Sequence, residues 1–282
     1  MDFSFTAEQD DLRREARAFL EASPSPTLEQ LDALGWVGIL RSGDFTFLDA
    51  AVLFEELGRV LYDGPYVLNE VAARDGDEIW SIEIDGFVPH LEQVDRVLTS
   101  DMHGRPAQGE RVATVDETLQ LGRLTADGAA AASGAWEDVR RRLLAALALE
   151  AVGIGSKAVE LAVAYAGSRE QFGKKIGTYQ AISHPLVDAY VAVELSRSLA
   201  YWAAWAVAEQ DEQVDLAVAA AKSQASEAAV LACERSIQAH GGIGFTWEHP
   251  LHRYYKRALW LEGALGYGRE LRAGVAESLL AS

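Results

Sequence analysis

From Trp136 onward the chain reads as a few very long helices and little else. WEDVRRRLLAALALEAVGIGSKAVELAVAYAGS, residues 136–168, carries a helical pattern interrupted only by tolerated glycines. ISHPLVDAYVAVELSRSLAYWAAWAVAEQ, 182–210, is a second such run. VDLAVAAAKSQASEAAVLACERSIQAHGG, 214–242, is a third, and it ends on Gly241 and Gly242 as a helix C-terminus does. LHRYYKRALWLEGALGYGRELRAGVAESLL, 251–280, is the fourth. Long neighbouring helices with Ala and other small residues on several faces pack closely, so residues 135–282 are expected to form a four-helix bundle with a helical surface for other subunits.

Two shorter sections precede the bundle. Residues 1–75 read as helices. Thr6 with Gln9 is a capping box, followed by an apolar stripe of Phe3, Phe5, Leu12, Ala16, Phe19 and Leu20. Thr27 with Gln30 repeats the opening, and TFLDAAVLFEELGRVLYDGP is a third amphipathic run closed by Gly64 and Pro65. Residues 76–134 change texture to short alternating runs of β-branched and aromatic residues with turn residues between them. About sixty residues make a section too small to stand as a robust domain of its own. The fold expected is mainly α with a small central β section: N-terminal helices, a truncated β domain, then the bundle.

Composition narrows function. Across 282 residues, 25 Lys+Arg against 43 Asp+Glu leave a formal net charge of −18. Such a surface repels nucleic-acid backbones and anionic headgroups at long range, so neither nucleic acid nor membrane is an expected partner. It leaves room for one anionic ligand held by a local arginine. No stretch is long and apolar enough to span a bilayer, and the opening residues lack a basic segment followed by an apolar one, so the expected location is cytoplasmic. Cys233 is the lone cysteine and reads as a small buried helical thiol. His249 and His252 form an H-x-x-H pair beside Glu248, but spacing places no further ligand and no metal site is expected; Pro250 marks a helix start there. Tyr201, Trp202 and Trp205 read as core or subunit interface.

One junction carries more chemistry than a connection needs. SREQFGKKIGTYQ, 168–180, packs Arg169, Phe172, Gly173 and two lysines between two long helices. A guanidinium presents a planar fork of donors suited to phosphate, and glycines admit close backbone approach. A solvated turn anchored by Phe172 explains the same residues. SIQAHGGIGF, 236–245, sets Gln238 one turn before Gly241 and Gly242, where backbone N–H groups can face an anion. A glycine pair at a helix end is also commonplace.

Together YAGSREQFGKKIGTYQAISHPLVD and SIQAHGGIGFTWEHPLHRYYKRA resemble, in order and register, the C-terminal domain of the flavin-dependent acyl-CoA dehydrogenases. The resemblance runs through most of residues 140–265, and the N-terminal helices are similar to that family's opening helices. It implies an α domain, a β domain and an α bundle assembled as dimers of dimers. It also implies an acyl-CoA substrate, with a carboxylate taking the α-proton and FAD taking the β-hydride. By the same resemblance the two motifs clasp the ADP portion of an FAD held mainly by the neighbouring subunit. Arg169 and Gln171 would meet its pyrophosphate and ribose, Phe172 would pack alongside, Gln180 would serve the adenine side, and Gln238, Gly241 and Gly242 would close over the diphosphate.

Two departures qualify the expectation. The family's usual base is the Glu of a Tyr-Glu-Gly triplet, and the matching position here is Leu265, followed by Gly266. The minority position on the first bundle helix falls at Leu143 or Arg142; Glu150 is the nearest acid in that helix, and Glu262 lies one turn before Leu265. Both acids read first as solvated or paired helix charge. The β section, in turn, has no segment matching the one that contacts the flavin ring, and the chain passes almost directly from its third helix into the later strands. What is kept is what a subunit lends to its neighbour's FAD, and what is missing serves its own. The chain is therefore expected to be the shortened partner of a larger homologous subunit in a heterotetrameric acyl-CoA dehydrogenase, resembling bacterial enzymes that act on steroid-CoA side chains. The alternatives are a self-sufficient homo-oligomer with Glu262 or Glu150 as a relocated base, and a non-catalytic scaffold or acyl-CoA-binding module.

Overall fold

The computed structural model describes residues 5–72, 75–126 and 128–281, so Phe3 of the first apolar stripe lies outside the described residues. Helix α1 (Ala7–Ala22) and the short α2 (Leu28–Ala33) both start on the expected capping boxes. In α1 the Gln9 backbone N–H donates to Thr6 Oγ1 at 3.2 Å while Gln9 Oε1 accepts from the Thr6 N–H at 3.2 Å. α3 (Phe47–Val60) carries a further box from Thr46 and Asp49. It stops before Gly64 and Pro65, because Leu61 turns left-handed at φ 57°. Pro65 instead precedes a fourth helix, α4 (Tyr66–Ala72), which is fully buried. The expectation of a direct passage from the third helix into the strands is thereby corrected.

The β section is built from β1 (Trp80–Ile82), β2 (Arg96–Leu98), β3 (His103–Pro106), β4 (Gly109–Arg111), β5 (Gly122–Leu124) and β6 (Ala130–Ala131). One sheet has the order β1-β2-β3-β6, with β1 and β2 parallel, and β4 pairs antiparallel with β5. Strands of two to four residues bury little, and a small cluster of Val88, Leu91 and Val97 supports them from within.

The bundle follows as α5 (Trp136–Ser168), α6 (Gln180–Ala208), α7 (Val214–His240), α8 (Leu251–Gly263) and α9 (Gly268–Ala281). The fourth long run is thus two helices, broken where Leu265 (φ 60°) and Gly266 (φ 105°) both turn left-handed. Cys233 is buried, Tyr201 is buried, and Trp202 and Trp205 pack partly buried against the same core.

The N-terminal helices are fixed to the bundle by close approach and by buried charge. A Cβ on Gly153 would lie 2.1 Å from the Glu55 carbonyl oxygen, and one on Gly58 would lie 2.4 Å from that of Glu150, so α3 and α5 cross backbone to backbone. Of two buried carboxylates on α3, Glu55 completes this tie and Glu56 holds α1 to α3. Glu55 accepts from Arg197 (2.9 Å) and the Tyr201 hydroxyl (2.8 Å) on α6, and Glu56 accepts from Arg17 on α1 at 2.9 and 2.6 Å. Each charge has a partner, which burial demands.

Candidate functional site

The first corner begins where α5 ends. Past Arg169, β7 (Glu170–Gln171) folds back on β8 (Lys174–Lys175) as a hairpin whose tip is Phe172 and Gly173. Their φ values, 52° and 77°, are both left-handed, as a type I′ two-residue turn requires. Asn or Gly usually stands at the first of these positions; a bulky aromatic there is strained. Phe172 is also 93% exposed. Strain and apolar exposure at one residue point to something outside this chain that it is meant to touch. The Tyr179 hydroxyl braces the hairpin by donating to the Gln171 carbonyl at 3.1 Å, and Lys174 Nζ sits 4.2 Å over the Tyr179 ring. Gln180 opens α6 and is exposed.

The second corner is the end of α7. Gly241 adopts φ 62° and ψ −140°, a region that excludes side chains, and begins a tight turn, Gly241–Phe245. Gln238, Gly241 and Gly242 are exposed, and a Cβ added to either glycine meets no atom of this chain. The bare backbone therefore faces open space.

Packing brings the corners together. Ala162 and Ala166 of α5, Ile176 and Leu186 after the hairpin, and Ala239 of α7 form one small apolar cluster. The Tyr165 ring stacks on His240 with centroids 4.4 Å apart. Arg169, Gln171, Phe172, Gln180, Gln238, Gly241 and Gly242 consequently stand at one end of the bundle. The Arg169 side chain has no hydrogen bond or ion pair among the described residues, and Lys174 and Lys175 are exposed beside it. In a chain of net charge −18 this is a local basic island. The free guanidinium, the Gln180 and Gln238 amides and the bare glycine corner suit a diphosphate, with the Gly241 N–H itself closing α7 on the Ile237 and Gln238 carbonyls, and Phe172 offers a face for a ring.

The acid positions look different. Leu265 follows the end of α8, and its backbone N–H donates to Asp85 Oδ2 at 2.9 Å. Leu143 is fully buried, and Arg142 donates to the Asp138 carbonyl. Glu150 is buried and ion-paired to Arg257, itself 2% exposed. Arg257 also donates to Asp116 (2.9 Å) and to Thr118 Oγ1 (2.6 Å). One guanidinium thus neutralises two carboxylates drawn from the β section and α5. The space beside it, between Tyr62, His90, Leu147 and Trp260, is about 20 Å³, room for a single water. Burial first and then the charge of Arg257 lower the His90 imidazole to about 3, so it is neutral. Sequence reasoning missed Arg257, Asp116 and Thr118. Nothing in YYKRA distinguishes a buried hub from a solvated arginine, because its partners come from distant segments.

Glu262 is partly exposed on α8. It and Asp85 are the carboxylates that act on Lys222 of α7, which is 0% exposed and whose Nζ has no hydrogen-bond partner among the described residues. Burial lowers that amine to about 8, against the opposing pull of the two acids. A lysine within a helix rich in Ala reads as a solvated charge, so this too was invisible.

Another surface is apolar. Val163 of α5 with Val187, Tyr190, Val191 and Leu195 of α6 are exposed, and a groove of about 390 Å³ runs between the two helices beside Val163, Val187 and Tyr190. A contiguous stripe of this kind is what a helical subunit contact leaves on an isolated chain.

Among the described residues no cluster suited to a metal ion occurs, and no helix is long and apolar enough to cross a membrane. Residues 113–280 match the family model described as acyl-CoA dehydrogenase, C-terminal domain. The chain is 31% identical over 236 residues to the acyl-CoA dehydrogenase IpdE2 of Mycobacterium tuberculosis, covering 74% of this chain and 71% of that protein. Its fold is similar to a chain of the ChsE4–ChsE5 complex from Mycobacterium tuberculosis, with a TM-score of 0.83, 22% identity and 100% of both chains covered. It is also similar to a chain of the Tcur3481–Tcur3483 steroid ACAD G363A variant, with a TM-score of 0.82, 22% identity, 97% of this chain and 98% of that one. Family model, relative and fold converge: the chain belongs to the acyl-CoA dehydrogenase family, whose cofactor is FAD.

Proposed function

We propose that this chain is the shortened subunit of a heteromeric acyl-CoA dehydrogenase, and that it completes an FAD site whose ring-binding surface and catalytic base come from a larger homologous subunit. One contrast carries the reading. The residues for a neighbour's nucleotide stand exposed and without side-chain partners from other elements, whereas the positions for a base hold Leu265 and Leu143, and the nearest acid on α5, Glu150, is locked to Arg257. When bound, FAD supplies acceptance of the substrate β-hydride. This chain's part is binding. Arg169 and Gln171 meet the pyrophosphate and ribose, Gln238 with the bare Gly241–Gly242 corner closes over the diphosphate, Gln180 serves the adenine side, and Phe172 leaves solvent by packing on the nucleotide. The apolar stripe of α5 and α6 is placed against other subunits.

A bulky, steroid-type acyl-CoA is the substrate class we assign. The similarity to a steroid ACAD supports it, as does the room gained when one of two active sites is given up. The proposal is tested by purifying the chain alone and co-expressed with a full-length relative that carries a ring-binding segment and a catalytic Glu. The complex should bind FAD and oxidise acyl-CoA, and the lone chain should do neither. A yellow lone chain with one FAD per subunit and acyl-CoA turnover would overturn it. Loss of that turnover in Glu262→Gln would then identify a relocated base. A complex that assembles normally with Arg169→Ala and never contains flavin would mark a scaffold.

A further inference from the structure

Directly behind the second corner lies a cluster of three histidines that the proposed function does not use. His240 immediately precedes Gly241, and its ring lies 4.4 Å from that of His249 and 4.4 Å from that of Tyr165. His252 meets Trp247 edge to face at 4.8 Å, and Lys256 Nζ covers the same indole at 4.3 Å. The groups facing these rings are therefore Tyr165 from α5, each other across the end of α7, and Lys256 from α8, with Glu248 next in the chain to His249. No carboxylate pairs with any of the three among the described residues.

The hydrogen bonds leave room for added protons. His240 Nδ1 donates to the Ser236 carbonyl at 2.7 Å, which leaves Nε2 as the basic atom. His249 Nδ1 accepts from the Leu251 N–H at 3.3 Å. His252 Nδ1 is buried without a hydrogen-bond partner among the described residues. Burial, then the proximity of His240 and His252, holds His249 below the ordinary histidine range. Three imidazoles thus stand together immediately under a glycine corner bare of side chains.

We propose that this cluster couples the grip on an anion at the Gly241–Gly242 corner to proton uptake. The inference rests on the reading of that corner as a diphosphate site. A diphosphate seated against the bare glycine corner places negative charge next to His240 and, through its ring neighbour, near His249. Negative charge favours the imidazolium form, so binding draws a proton into the cluster, and by linkage a lower pH tightens binding.

The test uses the complex of this chain with the full-length relative, stripped of flavin, and ADP-ribose, whose pyrophosphate diester is fully ionised across the working range. Affinity is measured at pH 6, 7 and 8 in buffers of differing ionisation enthalpy, so that proton uptake is read directly. Wild type should bind about three- to tenfold more tightly at pH 6 than at pH 8, as expected when binding favours the protonated form of one ring. His249→Gln and His252→Gln should each flatten that slope, and histidine NMR titration of the wild type should show a ring raised by the ligand. Arg169→Ala should weaken binding equally at every pH. Binding that Arg169→Ala weakens but that stays level from pH 6 to 8, with no ligand-raised histidine, overturns the proton coupling alone. No binding at any pH, or binding indifferent to Arg169→Ala, overturns the diphosphate reading and the coupling with it.

Discussion

Replacing Arg257 by Met would strip the guanidinium from a buried site that holds two carboxylates. Arg257 bonds Asp116 and Thr118 Oγ1 at 2.9 and 2.6 Å and is ion-paired to Glu150, and all three lie in the interior. Methionine matches the aliphatic stem but leaves Asp116 and Glu150 unpaired, a loss of about 3–5 kcal/mol for a broken buried pair. For a chain of 282 residues that unfolds cooperatively, this lowers Tm by about 5–8 °C. Denaturant melts at pH 7.5 measure the loss. Adding Glu150→Gln to Arg257→Met should recover part of the loss, because it removes one of the stranded charges. A variant within 1 kcal/mol of wild type at pH 7.5 would refute the idea that the cluster is a structural clasp. It would also return Glu150 to the list of free acids near the site.

Other expectations follow from the same geometry. Arg169→Ala and Gln238→Ala should leave the melting of the isolated chain unchanged and reduce FAD retained by the assembled complex about 10- to 100-fold for the arginine, the worth of a charge-assisted bond; unchanged flavin content on gel filtration would contradict this. Phe172→Asn should stabilise the lone chain by about 0.5–1 kcal/mol, since Asn suits the left-handed φ of 52°, while weakening the complex; a less stable lone chain would mean that the ring packs at home. Lys222→Met should raise stability near neutral pH by about 3 kcal/mol, because the buried amine is lowered from 10.5 to about 8. The unfolded chain holds that proton more tightly, so wild type regains stability as pH rises between about 8 and 10.5, and the gap between the two melting curves should close across that window. Gly153→Ala should cost about 1–3 kcal/mol by driving α3 from α5, with Tm as the readout, since its Cβ would meet the Glu55 carbonyl oxygen at 2.1 Å.

The sequence alone determined the local structure wherever a helix is long or its start is written in side chains. α5 follows its 33-residue pattern from Trp136 to Ser168, α7 stops at the glycine pair, and Thr6 and Thr27 cap as their Gln partners require. The two motif segments could be read because each is contiguous: the hairpin and the glycine corner carry their chemistry within a dozen residues. Sequence did not reveal α4, the break at Leu265, or the hub of Arg257 with Asp116 and Glu150. Periodicity reports which face of a segment is apolar, whereas a buried ion pair depends on which distant segments are folded against each other. Tertiary structure alone decided that Tyr165 would meet His240 and that Ile176 would meet Ala239, placing two separate helix ends at one corner. It also decided that Glu150 would be held by a guanidinium 107 residues away, because burial forces charges to find partners and only the packed chain says which ones are in reach.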